Sequence, residues 1–182
     1  CHDLQRRGKA DYAGNKKVID FLIEGGLDGI LVLGSAGEFP DLNEQERLDF
    51  FRFYAEYVNG RVELLAGTGC IRYADTLALS NAVYELGYTP MVISPYYFEM
   101  DQEKLFVYYD RLAKDVKGDL YLYNFPPRTG HSIAPETIRR LIDANPNIIG
   151  LKDSVSTPGH TNMVCRAVEG KPFTVYLSLI HI

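Results

Sequence analysis

The sequence predicts an α/β fold of repeated strand–helix units, on three observations. Six short apolar runs recur about every 30 residues, close to the size of one βα repeat. Residues that start and stop helices fill the stretches between them. Polar or glycine-rich segments follow nearly every run.

The first run is Gly29-Ile30-Leu31-Val32-Leu33. Runs this short and this apolar suit strands of a parallel sheet covered on both faces. After it, Asn43-Glu44-Gln45-Glu46 has the pattern of a capping box, and Leu48, Phe51 and Tyr54-Ala55 then lie three or four apart on one helical face. The second run is Val62-Glu63-Leu64-Leu65-Ala66 and the third Pro90-Met91-Val92-Ile93-Ser94. Asp101 marks a helix start as an N-cap, ahead of the run Leu120-Tyr121-Leu122-Tyr123. Pro135 marks another as a first-turn proline, ahead of Ile148-Ile149-Gly150-Leu151. The last run is Phe173-Thr174-Val175-Tyr176. Gly60, Gly87, Gly118 and Gly170 stand where helices should stop, each expected to take the left-handed conformation there. No internal linker is visible, so one domain is expected.

Six such units admit an open doubly wound sheet or an incomplete (β/α)8 barrel. An open-sheet nucleotide binder puts its glycine-rich phosphate loop after the first strand. Here the segments Gly34-Ser35-Ala36-Gly37-Glu38, Gly67-Thr68-Gly69, Pro95-Tyr96-Tyr97, Tyr123-Asn124-Phe125-Pro126 and Lys152-Asp153-Ser154 each close a run. A rim assembled from many strand ends is how a barrel makes its site. Neither GxGxxG nor a Walker loop occurs, which leaves a nucleotide cofactor unsupported.

Composition narrows the partners. The 182 residues carry a formal net charge of −5, with 46% hydrophobic and 24% charged residues, enough apolar content for a packed core. No basic stripe is present to neutralise phosphates, so no nucleic acid or anionic membrane partner is expected. No apolar stretch approaches the roughly 20 residues that span a bilayer, and no leader opens the chain. Cys1, Cys70 and Cys165 are odd in number and far apart, and they read as reduced thiols of a cytoplasmic protein. His2, His131, His160 and His181 lack metal-ligand spacing, so no metal is expected.

Lys152 is the most informative position. It ends the run Ile148 to Leu151, and period-two alternation puts it on the face of Ile148 and Gly150. If that face lines a barrel, the amine sits among apolar walls, where burial disfavours the ammonium and favours the nucleophilic amine that Schiff-base chemistry needs. The alternative is a strand-end lysine paired with Asp153 at the surface. Tyr123 ends the preceding run, and adjacent parallel strands lie ~4.8 Å apart, within reach for proton shuttling to an adduct on the lysine. Its alternative is an aromatic core residue with a satisfied hydroxyl. Ser35 lies in a glycine-flanked turn, which either holds a carboxylate through its hydroxyl and backbone N–H groups or is simply tight.

The segments from Gly34 to Phe39 and from Leu42 to Arg47, then Pro95-Tyr96-Tyr97, Tyr123 to Gly130 and Asn147 to Ser154 resemble, in order, the motifs of the dihydrodipicolinate synthase / N-acetylneuraminate lyase family of pyruvate-dependent class I aldolases. The similarity runs from about Gly8 to Tyr176. It implies a (β/α)8 TIM barrel in which Lys152 forms an imine with pyruvate or with the 2-oxo end of a substrate and Tyr123 relays protons. Ser35, with the backbone near Gly37, would hold the pyruvate carboxylate. Tyr97 matches the tyrosine that completes a proton relay across a tight dimer interface in synthase-type members, and Arg128 the arginine that meets the second substrate's carboxylate. Members are commonly tetramers, so a homotetramer is expected, with no cofactor beyond the substrates.

One departure bears on substrate. Synthases and sialic-acid lyases usually carry threonine where this chain has Ala36, and losing that hydroxyl removes a hydrogen bond worth about 0.5–1.5 kcal/mol net. Ala36, Phe39 and the Tyr-Asn-Phe-Pro segment look more like members that cleave 2-keto-3-deoxy sugar acids to pyruvate and an aldehyde. Arg128 points back to the synthase that condenses pyruvate with aspartate semialdehyde. The expectation is therefore a Schiff-base aldolase leaning to sugar-acid cleavage, with the synthase as alternative and a non-catalytic binding or assembly homologue as a third reading.

Such barrels take ~250 residues and at least ~200. Residues 8–176 are therefore expected to be a partial barrel that lacks its first strand and its C-terminal part. Residues 177–182 read as a non-native segment, since the codons CTG-TCT-CTT-ATA-CAC-ATC of a library-preparation adapter translate to Leu-Ser-Leu-Ile-His-Ile.

Overall fold

The computed structural model describes residues 10–178, so the opening Cys1 to Arg7 and residues 179–182 of the expected appended segment lie outside the described residues. The chain forms two compact units, one made of Cys1–Gly67 with Ala82–Pro90 and the other of Thr68–Asn81 with Met91–Ile182. All six expected strands are present within two residues of their expected bounds, and every strand pairing within each unit is parallel.

The first unit contains helix α1 (Tyr12–Glu24), strand β1 (Gly29–Val32), helix α2 (Glu44–Val58) and strand β2 (Glu63–Gly67). β1 and β2 pair from Gly29 opposite Glu63 to Val32 opposite Ala66. The Asn43 side chain accepts from the Glu46 backbone N–H, and the Glu46 carboxylate accepts from the Asn43 N–H, so the expected capping box closes in both directions. α2 buries Arg47, Phe50, Phe51, Tyr54 and Val58. That face is turned slightly from the expected one, because the Arg47 guanidinium enters the core, donating to the Gly67 carbonyl at 2.7 Å and lying over the Phe39 ring. Tyr54 donates to Asn15 of α1 at 2.8 Å, and Tyr88 to the Phe51 carbonyl at 2.7 Å, so the buried hydroxyls tie the unit together.

Helix α3 (Tyr73–Tyr84) and strand β3 (Thr89–Ile93) both run across the division between the units. The second unit continues with α4 (Gln102–Asp115), β4 (Leu120–Asn124), the short helix α5 (Pro126–Thr129), α6 (Pro135–Ala144), β5 (Ile148–Asp153), α7 (Pro158–Ala167) and β6 (Thr174–Leu177). Its strands lie in the order β3-β4-β5-β6. Asp101 caps α4 by accepting from the Lys104 N–H at 2.8 Å, and Pro135 opens α6, both as expected. Leu105, Tyr109 and Leu112 of α4, Ile138 and Leu141 of α6 and Val164 of α7 pack against Val92, Leu120, Leu122, Ile148 and Leu151 of the strands. A fully buried leucine or isoleucine of this kind contributes about 1.5–3 kcal/mol.

Two local expectations are corrected. Gly60, Gly87 and Gly170 take positive φ, whereas Gly118 does not, because α4 stops three residues earlier with Val116 in extended conformation. The β4–β5 register shifts between Leu120, opposite Ile148, and Tyr121, opposite Gly150. This bulge places the extra residue Ile149 in β5, so Ile148 joins Leu151 in the helix-facing core rather than sharing the face of Lys152.

Candidate active site

In the second unit, Tyr123 of β4 and Lys152 of β5 are partners in the parallel register, and the Lys152 Nζ lies 3.9 Å from the centroid of the Tyr123 ring. Tyr123 is buried and stacks on Phe125, with ring centroids 5.9 Å apart. Lys152 is half-buried. An ammonium held over an aromatic face gains about 0.5–2 kcal/mol. On β6, Tyr176 is the register partner of Lys152, and its ring lies 5.6 Å from that of Tyr121. Tyr121, Tyr123, Gly150, Lys152 and Tyr176 thus share the face opposite the helices.

The surface pairing of Lys152 with Asp153 does not occur. Asp153 is wholly buried, and its carboxylate accepts from Asn124 Nδ2 at 2.8 Å, Thr161 Oγ1 at 2.7 Å and His160 Nδ1 at 2.9 Å. Among the described residues no carboxylate forms an ion pair with Lys152. Burial pushes the Asp153 carboxyl up, but the hydrogen bonds from His160, Asn124 and Thr161 outweigh it and hold the group below the ordinary carboxylate value. His160 is the reciprocal case: its bond to Asp153 holds the imidazole above its ordinary value, against the opposing effect of burial.

A buried imidazole, His131, anchors the segment after β3. The Met100 N–H donates to His131 Nδ1 at 3.3 Å, so Nε2 carries the proton and donates to Ser94 Oγ at 2.8 Å. Burial holds His131 below its ordinary value, against the pull of Glu99. Ser94 therefore receives a proton donor rather than a base, and the pair clamps the ends of the loop that carries Tyr97. Tyr97 has φ +84° and is 83% exposed, with Phe98 edge-to-face against it at 4.9 Å. A bulky residue with positive φ is strained. Arg128 is exposed on α5, its guanidinium 6.0 Å from the Phe125 ring, and among the described residues no carboxylate pairs with it.

In the first unit, Ser35, Ala36 and Gly37 form a 3₁₀ turn directly after β1. Leu33 and Glu38, on either side, both have positive φ, so the turn is bracketed by strained residues. The Gly37 N–H donates to the Gly34 carbonyl at 2.8 Å and is engaged within the turn. Ser35 is half-buried, Ala36 exposed and Gly37 buried.

Sequence reasoning placed Lys152 and Tyr123 at neighbouring strand ends, and the structure brings them into contact. It missed Asn124, Asp153 and His160 as a cluster and treated His131 and His160 only as failed metal ligands. Their partners come from other elements, and no spacing pattern marks them.

The model of the dihydrodipicolinate synthetase family matches residues 3–177. The chain belongs to that family. Among curated family members, it is 37% identical over 164 residues to the Escherichia coli (strain K12) protein named "Putative 2-dehydro-3-deoxy-D-gluconate aldolase YagE", covering 90% of this chain and 54% of that protein. It is 36% identical over 157 residues to the 4-hydroxy-tetrahydrodipicolinate synthase of Kosmotoga olearia, covering 86% of this chain and 53% of the synthase. The crystal structure of YagE in complex with pyruvate matches with a TM-score of 0.92 and 35% identity, covering 96% of this chain and 60% of that one. The chain thus spans little more than half the length of these curated family members.

Proposed function

We propose that the protein to which this chain belongs is a pyruvate-dependent class I aldolase that works through a Schiff base on Lys152. The observation that carries this reading is the contact of the Lys152 amine with Tyr123 on in-register strands, with no carboxylate ion-paired to it among the described residues. The amine adds to the C2 carbonyl of a 2-keto-3-deoxy sugar acid and water leaves, forming an imine. Loss of the C4 hydroxyl proton then breaks the C3–C4 bond, releasing an aldehyde and leaving an enamine that is protonated at C3. Hydrolysis returns pyruvate and the free amine. Tyr123 carries protons between the hydroxyl and the adduct. The family resemblance assigns the substrate carboxylate to Ser35 and the backbone near Gly37, where Ala36 carries no hydroxyl.

The lean to sugar-acid cleavage is supported by Ala36 and by the similarity to YagE. Arg128, exposed and with no carboxylate paired to it among the described residues, favours the second reading, the synthase, in which it meets a second carboxylate. The strained and exposed Tyr97, with Phe98, supports a tight dimer interface within a homotetramer. In the same proposal, residues 8–176 are a partial (β/α)8 barrel, completed in the intact protein by a strand before β1 and a further βα unit after β6.

Borohydride reduction of the full-length protein with pyruvate, followed by mass spectrometry, is expected to show the adduct on the Lys152 peptide, and its absence would defeat the enzyme reading. In steady-state assays, cleavage of 2-keto-3-deoxygluconate is expected to outpace condensation of pyruvate with aspartate semialdehyde. The reverse order would establish the synthase.

A further inference from the structure

Behind the reactive face lies a buried polar cluster built from the residues that directly follow Tyr123 and Lys152. Asn124 and Asp153 are themselves register partners, and Asn124 Nδ2 donates to Asp153 Oδ1 at 2.8 Å. Asn124 Oδ1 accepts the Ile133 N–H at 3.0 Å, fastening the segment after α5 to the end of β4. Asp153 Oδ2 takes Thr161 Oγ1 and His160 Nδ1 from the first turns of α7. His160 Nε2 lies 3.0 Å from the Ile133 carbonyl. Nδ1 thus faces a carboxylate oxygen that only accepts, and Nε2 has the Ile133 carbonyl at 3.0 Å with the Ser132 hydroxyl farther off at 3.5 Å, an arrangement that favours an imidazolium whose charge is met by the buried carboxylate. A cation at a helix N-terminus opposes the helix dipole, so nothing in α7 itself favours the charge. Asp153 does.

The cluster adds a polar lock to the register that the buried apolar face of β4 and β5 already favours. Upstream the two strands are out of step by one residue at the Ile149 bulge, so the backbone ladder alone does not impose a single register. A one-residue slip would turn Lys152 from the Tyr123 face to the helix face. The cluster admits one register, because Asn124 and Asp153 are buried and every bond they make would be lost in another.

We propose that Asp153 and His160 are positioning residues for the Lys152–Tyr123 pair, acting on proton transfer through strand register without touching substrate. This inference rests on the aldolase reading for its kinetic consequence but not for its geometry. Asp153→Ala removes the lock, whereas Asp153→Asn preserves it: the amide oxygen accepts from Asn124 while the amide nitrogen donates to Thr161 and to a neutral His160, whose Nε2–H still reaches Ile133. The two variants therefore separate shape from charge.

The test is made on the full-length protein carrying 13Cε-lysine. In the parent, ring current from Tyr123 is expected to shift the Lys152 ε-methylene protons upfield, since Nζ lies 3.9 Å from the ring centroid. D153A is expected to move that resonance to the ordinary lysine position and to lower kcat by about 10- to 100-fold, with the KM for pyruvate within about twofold and borohydride trapping on Lys152 retained. D153N is expected to keep the upfield resonance and a kcat within about threefold of the parent. If D153A does not fold, His160→Gln, which removes the charge paired with Asp153 and the Nε2 contacts to Ile133 and Ser132, is expected to lower kcat about three- to tenfold with the same KM split. An unshifted resonance and unchanged kcat in D153A or, should D153A not fold, in H160Q would overturn the proposal, as would equal losses in D153A and D153N. Failure of the parent to trap pyruvate counts against the aldolase reading alone, and the Lys152 resonance across the variants then decides the positioning role.

Discussion

Gly150 has no space for a side chain. A Cβ there would stand 2.5 Å from the Thr174 carbonyl oxygen of β6 and 2.5 Å from Cε1 of Tyr121. The carbonyl belongs to a paired strand and cannot swing away, and the ring is one of those on the Lys152 face. Gly150 therefore lets three strands close up behind the reactive lysine. Gly150→Ala is expected to destabilise the protein by about 1–3 kcal/mol, the usual cost of overpacking, read as a lower urea midpoint with an unchanged slope. A midpoint equal to the parent's would mean that β6 does not press on β5.

The capping box of α2 carries a prediction at the scale of the element. Asn43 and Glu46 satisfy each other's backbone N–H groups at an exposed helix start. Asn43→Ala is expected to cost about 1 kcal/mol in chemical unfolding, with no change in pyruvate trapping. That helix start was legible in the sequence because the signal is local, four consecutive residues with their own chemistry. The six strands were legible for a related reason: a buried parallel strand leaves a short apolar run whatever its neighbours are. The Ile149 bulge was not, since Ile148-Ile149-Gly150-Leu151 reads the same with or without an extra residue, and only the pairing with Tyr121 reveals it. The site divides in the same way. Lys152 and Tyr123 announce themselves by ending apolar runs, whereas Asp153 read as a surface carboxylate because its partners come from other elements, Asn124 from β4 and His160 and Thr161 from α7. α5 escaped notice because it is four residues long and opens on two prolines.

At the scale of the whole molecule, the Asp153–His160 pair links stability to pH. His160 is raised above its ordinary 6.5 in the folded state, so its contribution is fully present below about 6.5 and is lost as pH rises through the folded value. Asp153 is lowered below its ordinary 3.8, so its contribution is present above about 3.8 and is lost as pH falls through its lower folded value. The two windows overlap between these limits, where the folded pair is charged on both sides. Asp153→Asn keeps the hydrogen bonds and removes the ion pair, which also leaves His160 without the interaction that raises it. Urea unfolding at fixed protein concentration is therefore expected to show the parent's advantage over D153N as largest near pH 5 to 6, smaller at alkaline pH beyond the His160 transition, and smaller again in strong acid. The surface ion pairs do not generate this profile, because pairs such as Arg52–Asp49 and Lys104–Asp101 are solvated and contribute little at any pH. An advantage of the parent that stays constant from pH 5 to pH 10 would show that His160 is neutral in the folded protein, and the proton on Nε2 or on Nδ1 would then have to be reassigned.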